Sequence, residues 1–244
     1  MTKKGVDYIV FPLDVSSLKQ AESCVSLLEG SVGMFKIGLE LFIRQGPGVV
    51  DMVKKKSRAG IFLDLKLHDI SATVHKAMAA AVEIEVDLVT VHCASSERML
   101  KAAVSAGHGR TGVLGVTLLT DNDNQVVEVC GFKKVYVENT DLLVMKRAEM
   151  AFNAGCKGVV CSGREAGMIK KQFGKDFLVV TPGIRPAWSV VAGDDQERIT
   201  TPGQAVQNGA DLIVVGRPVR TAADPAAAAR CIAGEIEDAL SFQK

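Results

Sequence analysis

Gly60-Ile61-Phe62-Leu63-Asp64-Leu65-Lys66-Leu67-His68-Asp69 is the stretch that decides how this chain folds. Its first half is an apolar run without strict alternation, the mark of a parallel strand covered on both faces. Its second half packs an acid, a lysine and a second acid into six residues. Alternate side chains of a strand point to one side, so Asp64 and Lys66 are expected to emerge together at the strand's C-terminal end. Asp69 follows in the first turn of the next loop. Barrels and open α/β sheets keep their active sites at that end of their strands. Carboxylates on either side favour the charged form of a lysine. Lys66 therefore reads as a positioned proton donor rather than a Schiff-base amine, which needs a depressed pKa. D-x-K also fits a salt-bridged loop rim, and the rest of the chain must choose between them.

Outward from this stretch the same kind of run recurs. Residues 8–13, 33–37, 60–65 and 88–92 read as four strands, and 112–117, 158–161, 177–181 and 212–215 as four more. Helical patterns lie between them, at 16–28, 47–56, 73–81, 141–154 and 164–173, several opening on a capping residue or a proline. Asn153-Ala154-Gly155 and Asn208-Gly209-Ala210 each end a helix a few residues before a strand. Eight strand–helix units over 244 residues predict a single-domain α/β chain, a (β/α)8 TIM barrel spanning 1–244. A doubly wound sheet is the alternative. It would use fewer strands and favour a glycine-rich first loop, whereas the first loop here is Leu13-Asp14-Val15-Ser16.

Composition narrows the function classes. With 48% hydrophobic and 23% charged residues the chain is ordinary for a soluble globular enzyme. A net charge of +1 offers no nucleic-acid stripe, acidic tail or membrane-surface helix, so attraction for an anionic substrate must be local. No apolar stretch of signal-peptide or transmembrane length follows the start, and the chain reads as cytoplasmic. The six cysteines form no C-x-x-C pair, and runs such as Val159-Val160-Cys161 predict reduced core thiols rather than a zinc site.

In a barrel the candidate site residues can be read off strand ends in order. These are Asp14, then Lys36, then Asp64, Lys66 and Asp69, then His92, Thr120, Ser162, the run Thr181 to Arg185, and Gly216 with Arg217. Two acids and two lysines on three successive strands predict an alternating charge network around one point. Gly216 lets backbone approach a ligand, and Arg217 offers a forked donor for phosphate oxygens. The loops after strands seven and eight are the customary phosphate site of a barrel. Residues 182–200 form the longest patternless segment and read as a phosphate-binding lid. His92 is expected to be a hydrogen-bonded barrel residue, and His75 and His108 to be solvated. Metal binding at His68 is opposed by the neighbouring Lys66, so no metal site is expected.

Together these residues resemble the orotidine 5′-monophosphate decarboxylase family. The resemblance runs from Asp14 to Arg217 and rests on Leu13-Asp14-Val15, Phe35-Lys36-Ile37-Gly38, Asp64-Leu-Lys66-Leu-His-Asp69-Ile70-x-x-Thr73, Thr117-Leu-Leu-Thr120, Cys161-Ser162-Gly163-Arg164-Glu165-Ala166, Pro182-Gly183-Ile184-Arg185 and Val215-Gly216-Arg217. It implies cofactor-free conversion of orotidine 5′-monophosphate to uridine 5′-monophosphate and CO2, the last step of pyrimidine nucleotide synthesis. It implies that Lys66 protonates the carbon that loses CO2, that Asp64 adjoins the departing carboxylate and that Lys36 lies near the ribose. Asp14 would contact the ribose and Thr120 the pyrimidine, while Arg185, Gln196, Gly216 and Arg217 would hold the phosphate. Asp69, Ile70 and Thr73 would reach into a partner subunit's site, making a homodimer. The alternative within the resemblance is a magnesium-dependent sugar-phosphate enzyme such as 3-keto-gulonate-phosphate decarboxylase or hexulose-phosphate synthase. Those relatives carry a metal-binding Glu after strand two, where this chain has Lys36. A non-catalytic, phosphate-binding nucleotide sensor is a rival from another class, but it would need none of Asp64, Lys66 and Asp69.

Overall fold

A computed structural model describes residues 3–189 and 200–241. Among them, the strands β1 (Ile9–Pro12), β2 (Met34–Gly38), β3 (Gly60–Leu67), β4 (Leu88–His92), β5 (Gly112–Val116), β6 (Gly158–Val160), β7 (Leu178–Thr181) and β8 (Leu212–Val214) pair in sequence order, all parallel. β8 pairs back to β1, which closes the ring and leaves no exposed edge. The architecture is a (β/α)8 barrel.

Helices return the chain from each strand to the next, and their starts follow from the sequence. Ser17 accepts from the Gln20 amide at the head of Leu18–Leu28, and Ser96 from the Met99 amide at the head of Glu97–Gly107. Thr201 and Gln204 form a reciprocal capping box ahead of Pro202–Gln207. The first expected strand begins later than its apolar pattern, because Gly5–Tyr8 turns as a short 3-10 helix held by the Lys4 amide on Asp7. Leu39–Gln45 is a helix that the sequence reading left unassigned.

The core has two layers. Inside the ring, Val10, Phe62, Leu88, Leu114, Val180 and Leu212 pack with Met34, Val160, Leu178 and Val214, so every strand contributes to one apolar plug. Residues of opposite parity, such as Phe11, Ile37, Leu63 and Val89, face the helices. Cys93, Cys156 and Cys161 are buried, and burial pushes all three thiols up, Cys93 to about 12. Burial on this scale keeps them protonated and inert.

The plug stops one step below the site. Two residues beyond the inward-facing Met34, Phe62, Leu88 and Val160 come Lys36, Asp64, Thr90 and Ser162, so the same side of four strands turns from apolar to polar. At the opposite end a simpler device repeats. Gly33, Asp87, Lys157 and Asp211, each just before an even-numbered strand or at its entry, donate their amides to Ile9, Ile61, Val113 and Val179. The carbonyls of Gly33, Asp87 and Lys157 then accept from Gly60, Gly112 and Leu178. At the closing position the Asp211 carbonyl accepts from Lys3 Nζ instead.

Candidate active site

Strands β1 to β3 bring four charges into one line. Lys36 Nζ lies 3.3 Å from Asp14 Oδ1 and 3.4 Å from Asp64 Oδ2, and Lys66 Nζ donates to both oxygens of Asp64 at 2.9 Å. The expected network of two acids and two lysines is therefore present. Burial alone would raise the Asp64 pKa, but Lys36, Lys66 and hydrogen bonds from Lys66 and Thr90 outweigh it and hold the carboxyl below its usual value. The four line a cleft of about 250 Å³ together with Leu13 and Gly38. A Cβ at Gly38 would meet Lys36 Nζ at 3.2 Å, a tight contact that the lysine would have to relieve by shifting a few tenths of an ångström.

Lys66 reaches this place by a backbone irregularity. Leu63 pairs with Val89 and Leu67 with Val91, so β3 spends two more residues than β4 over the same rise. Within the bulge Lys66 has φ +49°, the left-handed region that side chains other than glycine rarely adopt.

The other expected residues distribute around the mouth. Asp69 stays out of the charge network and accepts from the Ile70 amide, at 2.6 Å. Asp69, Ile70 and Thr73 are exposed, and a shallow pocket runs from Asp69 and Ile70 to His68, Ser96 and Arg98. Thr120 sits in an exposed turn after β5. Arg185 is buried after β7, where its amide meets the Thr200 carbonyl at 3.1 Å and joins the two ends of the long loop. Gly216 and the exposed Arg217 follow β8. Gln196 and the lid expected at 182–200 fall on or across 190–199, outside the described residues. The ring of His92 lies against that of His68, at 5.4 Å between centroids and tilted by 46°. Among the described residues no group of three or more His, Cys, Asp or Glu side chains is gathered to hold a metal ion.

Residues 7–232 match the model of the family described as Orotidine 5′-phosphate decarboxylase / HUMPS. The chain belongs to that family. Orotidine 5′-phosphate decarboxylase of Desulfosudis oleivorans is 51% identical over 235 residues, covering 96% of this chain and 94% of that protein. The protein of the same name from Geotalea daltonii is 42% identical, covering 93% and 95%. Among solved structures, orotidine 5′-phosphate decarboxylase from Lactobacillus acidophilus superposes with a TM-score of 0.81 at 33% identity, covering 93% of this chain and 98% of that one.

Within this orotidine 5′-phosphate decarboxylase / HUMPS chain, several residues at the mouth escaped the sequence reading. Thr90 is wholly buried and bonds both to Asp64 and to the Lys66 backbone. Arg220 donates to the Asp14 carbonyl at 2.7 Å, and the buried Arg147 donates to the Thr117 carbonyl at 2.6 Å, so each steadies a loop that carries a candidate residue. Ser162, already a candidate from its strand-end position, has a buried Oγ with no hydrogen-bond partner among the described residues, as does Thr181 Oγ1. Thr90 alone had a visible signal: it is the one polar residue inside the run Leu88-Val89-Thr90-Val91.

Proposed function

We propose that this chain decarboxylates orotidine 5′-monophosphate to uridine 5′-monophosphate and CO2 with no metal or organic cofactor, in pyrimidine nucleotide synthesis. The observation that carries the reading is the Asp14–Lys36–Asp64–Lys66 line at the mouth of a barrel of this family. Breaking the bond between the ring carbon and its carboxylate leaves the electron pair on a carbon with no ordinary electron sink. An ammonium already fixed beside that carbon stabilises the growing charge and then gives it a proton. Lys66 fills this role, and its amine regains a proton from solvent. Asp64 adjoins the departing carboxylate. Its oxygens already face the ammoniums of Lys36 and Lys66, a donor set that suits an organic anion better than a divalent cation.

The remaining assignments follow the family resemblance. Asp14 and Lys36 contact the ribose, Thr120 the pyrimidine, and Arg185, Gln196, Gly216 and Arg217 the phosphate. Remote phosphate binding then supplies energy for orientation at the reacting carbon. Asp69, Ile70 and Thr73 serve the site of a second copy, which accounts for a 72% exposed isoleucine beside an acid that takes no part in its own network.

The test is loss of the orotidine monophosphate absorbance in EDTA, with Lys66→Ala alongside. Turnover is expected to survive chelation and to fall by at least about 1000-fold in the variant, since electrostatic stabilisation and protonation are lost together. Turnover that requires magnesium would place the chain in the sugar-phosphate branch instead.

A further inference from the structure

Lys66 holds a left-handed backbone conformation at the centre of the site, and nothing in its own sequence demands it. Such a conformation persists only where the surroundings impose it. The bulge that creates it takes the Lys66 amide out of the regular ladder with β4, between the pairs Leu63–Val89 and Leu67–Val91. The residue of β4 facing this gap is Thr90. Its Oγ1 accepts from the Lys66 amide at 2.9 Å and donates to Asp64 Oδ1 at 2.9 Å. A hydroxyl has one proton and two lone pairs, so one buried atom satisfies the displaced amide and spends its own proton on the carboxylate. Both bonds end on the two residues that form the 2.9 Å ion pair.

We propose that Thr90 is a positioning residue for the decarboxylation, holding the Lys66 backbone in its bulge and the Asp64 carboxylate at the angle that faces the Lys66 ammonium. Its kinetic consequence rests on the decarboxylase reading, while its conformational consequence does not. Valine has the shape of threonine without either hydrogen bond, and serine keeps the hydroxyl without the methyl. The charged and titratable groups around Asp64 are Lys36 from β2 with Asp14 behind it, Lys66 on β3, and His92 on β4 with His68 against its ring. Arg147 adds its charge near His92. Neither substitution changes the identity of these groups. A rise of the acid limb therefore reports on Asp64 having lost the Thr90 donor, together with any loosening of the Lys66 ammonium that the shifted backbone carries.

The experiment compares wild type, Thr90→Val and Thr90→Ser in kcat, KM and the pH profile of kcat/KM for orotidine monophosphate, with a crystal structure of Thr90→Val. Thr90→Val is expected to lose roughly 10- to 100-fold in kcat, the range for one hydrogen bond to a charged group, with KM within about threefold of wild type. Its acid limb should move to higher pH, Lys66 should leave positive φ, and Thr90→Ser should restore most of kcat. Wild-type kcat in Thr90→Val, a loss carried by KM, or a Thr90→Ser protein as impaired as Thr90→Val would each overturn the proposal. If Thr90→Val fails to fold, Thr90→Ala takes its place, read against the same serine rescue. A wild-type protein inactive on this substrate would sink the decarboxylase reading alone, and the φ of Lys66 in the variant structure would still decide the positioning claim.

Discussion

Asp64 keeps its charge in surroundings that would neutralise a lone carboxyl. Burial raises its pKa, while Lys36, Lys66 and two hydrogen bonds lower it by more. His92 is moved down by burial, and then by His68, Lys66 and Arg147, so its imidazole resists protonation. Both shifts have the same sign for stability. A folded pKa below the unfolded one means that the unfolded chain binds more protons, so stability falls on acidification. The histidine contribution is lost first, as pH drops below the unfolded value of about 6.5, and the aspartate contribution later, as pH falls from about 3.9 through the folded value. Urea unfolding followed against pH should therefore decline in two stages. Asp64→Asn should shrink the second, while the first persists and deepens because Asp64 no longer opposes the downward shift of His92. The same substitution should lower decarboxylation by at least about 100-fold, because Lys36 and Lys66 then face each other without the anion between them.

At the scale of elements, the strands were legible because parallel strands covered on both sides leave continuous apolar runs, and the eight runs sit close to the eight strands. The bulge in β3 was not legible. Asp64-Leu65-Lys66-Leu67 alternates as any regular strand does, and only pairing against β4 shows the two surplus residues. The line from Asp14 to Lys66 could be read because strand ends converge in a barrel, whereas Thr90 could not be weighed without knowing which residue faces the bulge. The entrances to the strands make a separate prediction. Asp87 Oδ2 accepts from the Ile61 amide and Asp211 Oδ2 from the Val179 amide, each at 2.7 Å, and Asp211 also pairs with Lys170. Removing either carboxylate strands a backbone donor, at about 1–3 kcal/mol. Asp87→Ala should lower the melting temperature by about 2–12 °C. Asp211→Ala should lower it further, because it also deprives Lys170 of its acid, and neither should change KM. Differential scanning calorimetry with steady-state kinetics checks both.

At the scale of the whole molecule, one chain supplies the charge line and leaves Asp69, Ile70 and Thr73 facing outward from the rim. If two copies exchange these residues, inactive variants should complement one another. Mixing Lys66→Ala with Asp69→Ala under conditions that allow subunit exchange gives mixed dimers in which one site inherits both defects and the other neither. Random pairing then restores about a quarter of wild-type activity. Two variants that stay inactive after proven exchange would place Asp69 in its own chain's site. The opposite end of the barrel carries a different lesson. Gly33, Asp87, Lys157 and Asp211 occupy equivalent backbone positions, and the stretches 33–87 and 157–211 are equal in length. The floor is thus laid in repeating bricks, with two of them sharing one footprint. One brick carries the lysines and Asp64, and the other carries Ser162 and Arg185. Recombination at these four seams would cut where the backbone pattern repeats, which gives a builder of new barrels a place to splice chemistry onto an unchanged foundation.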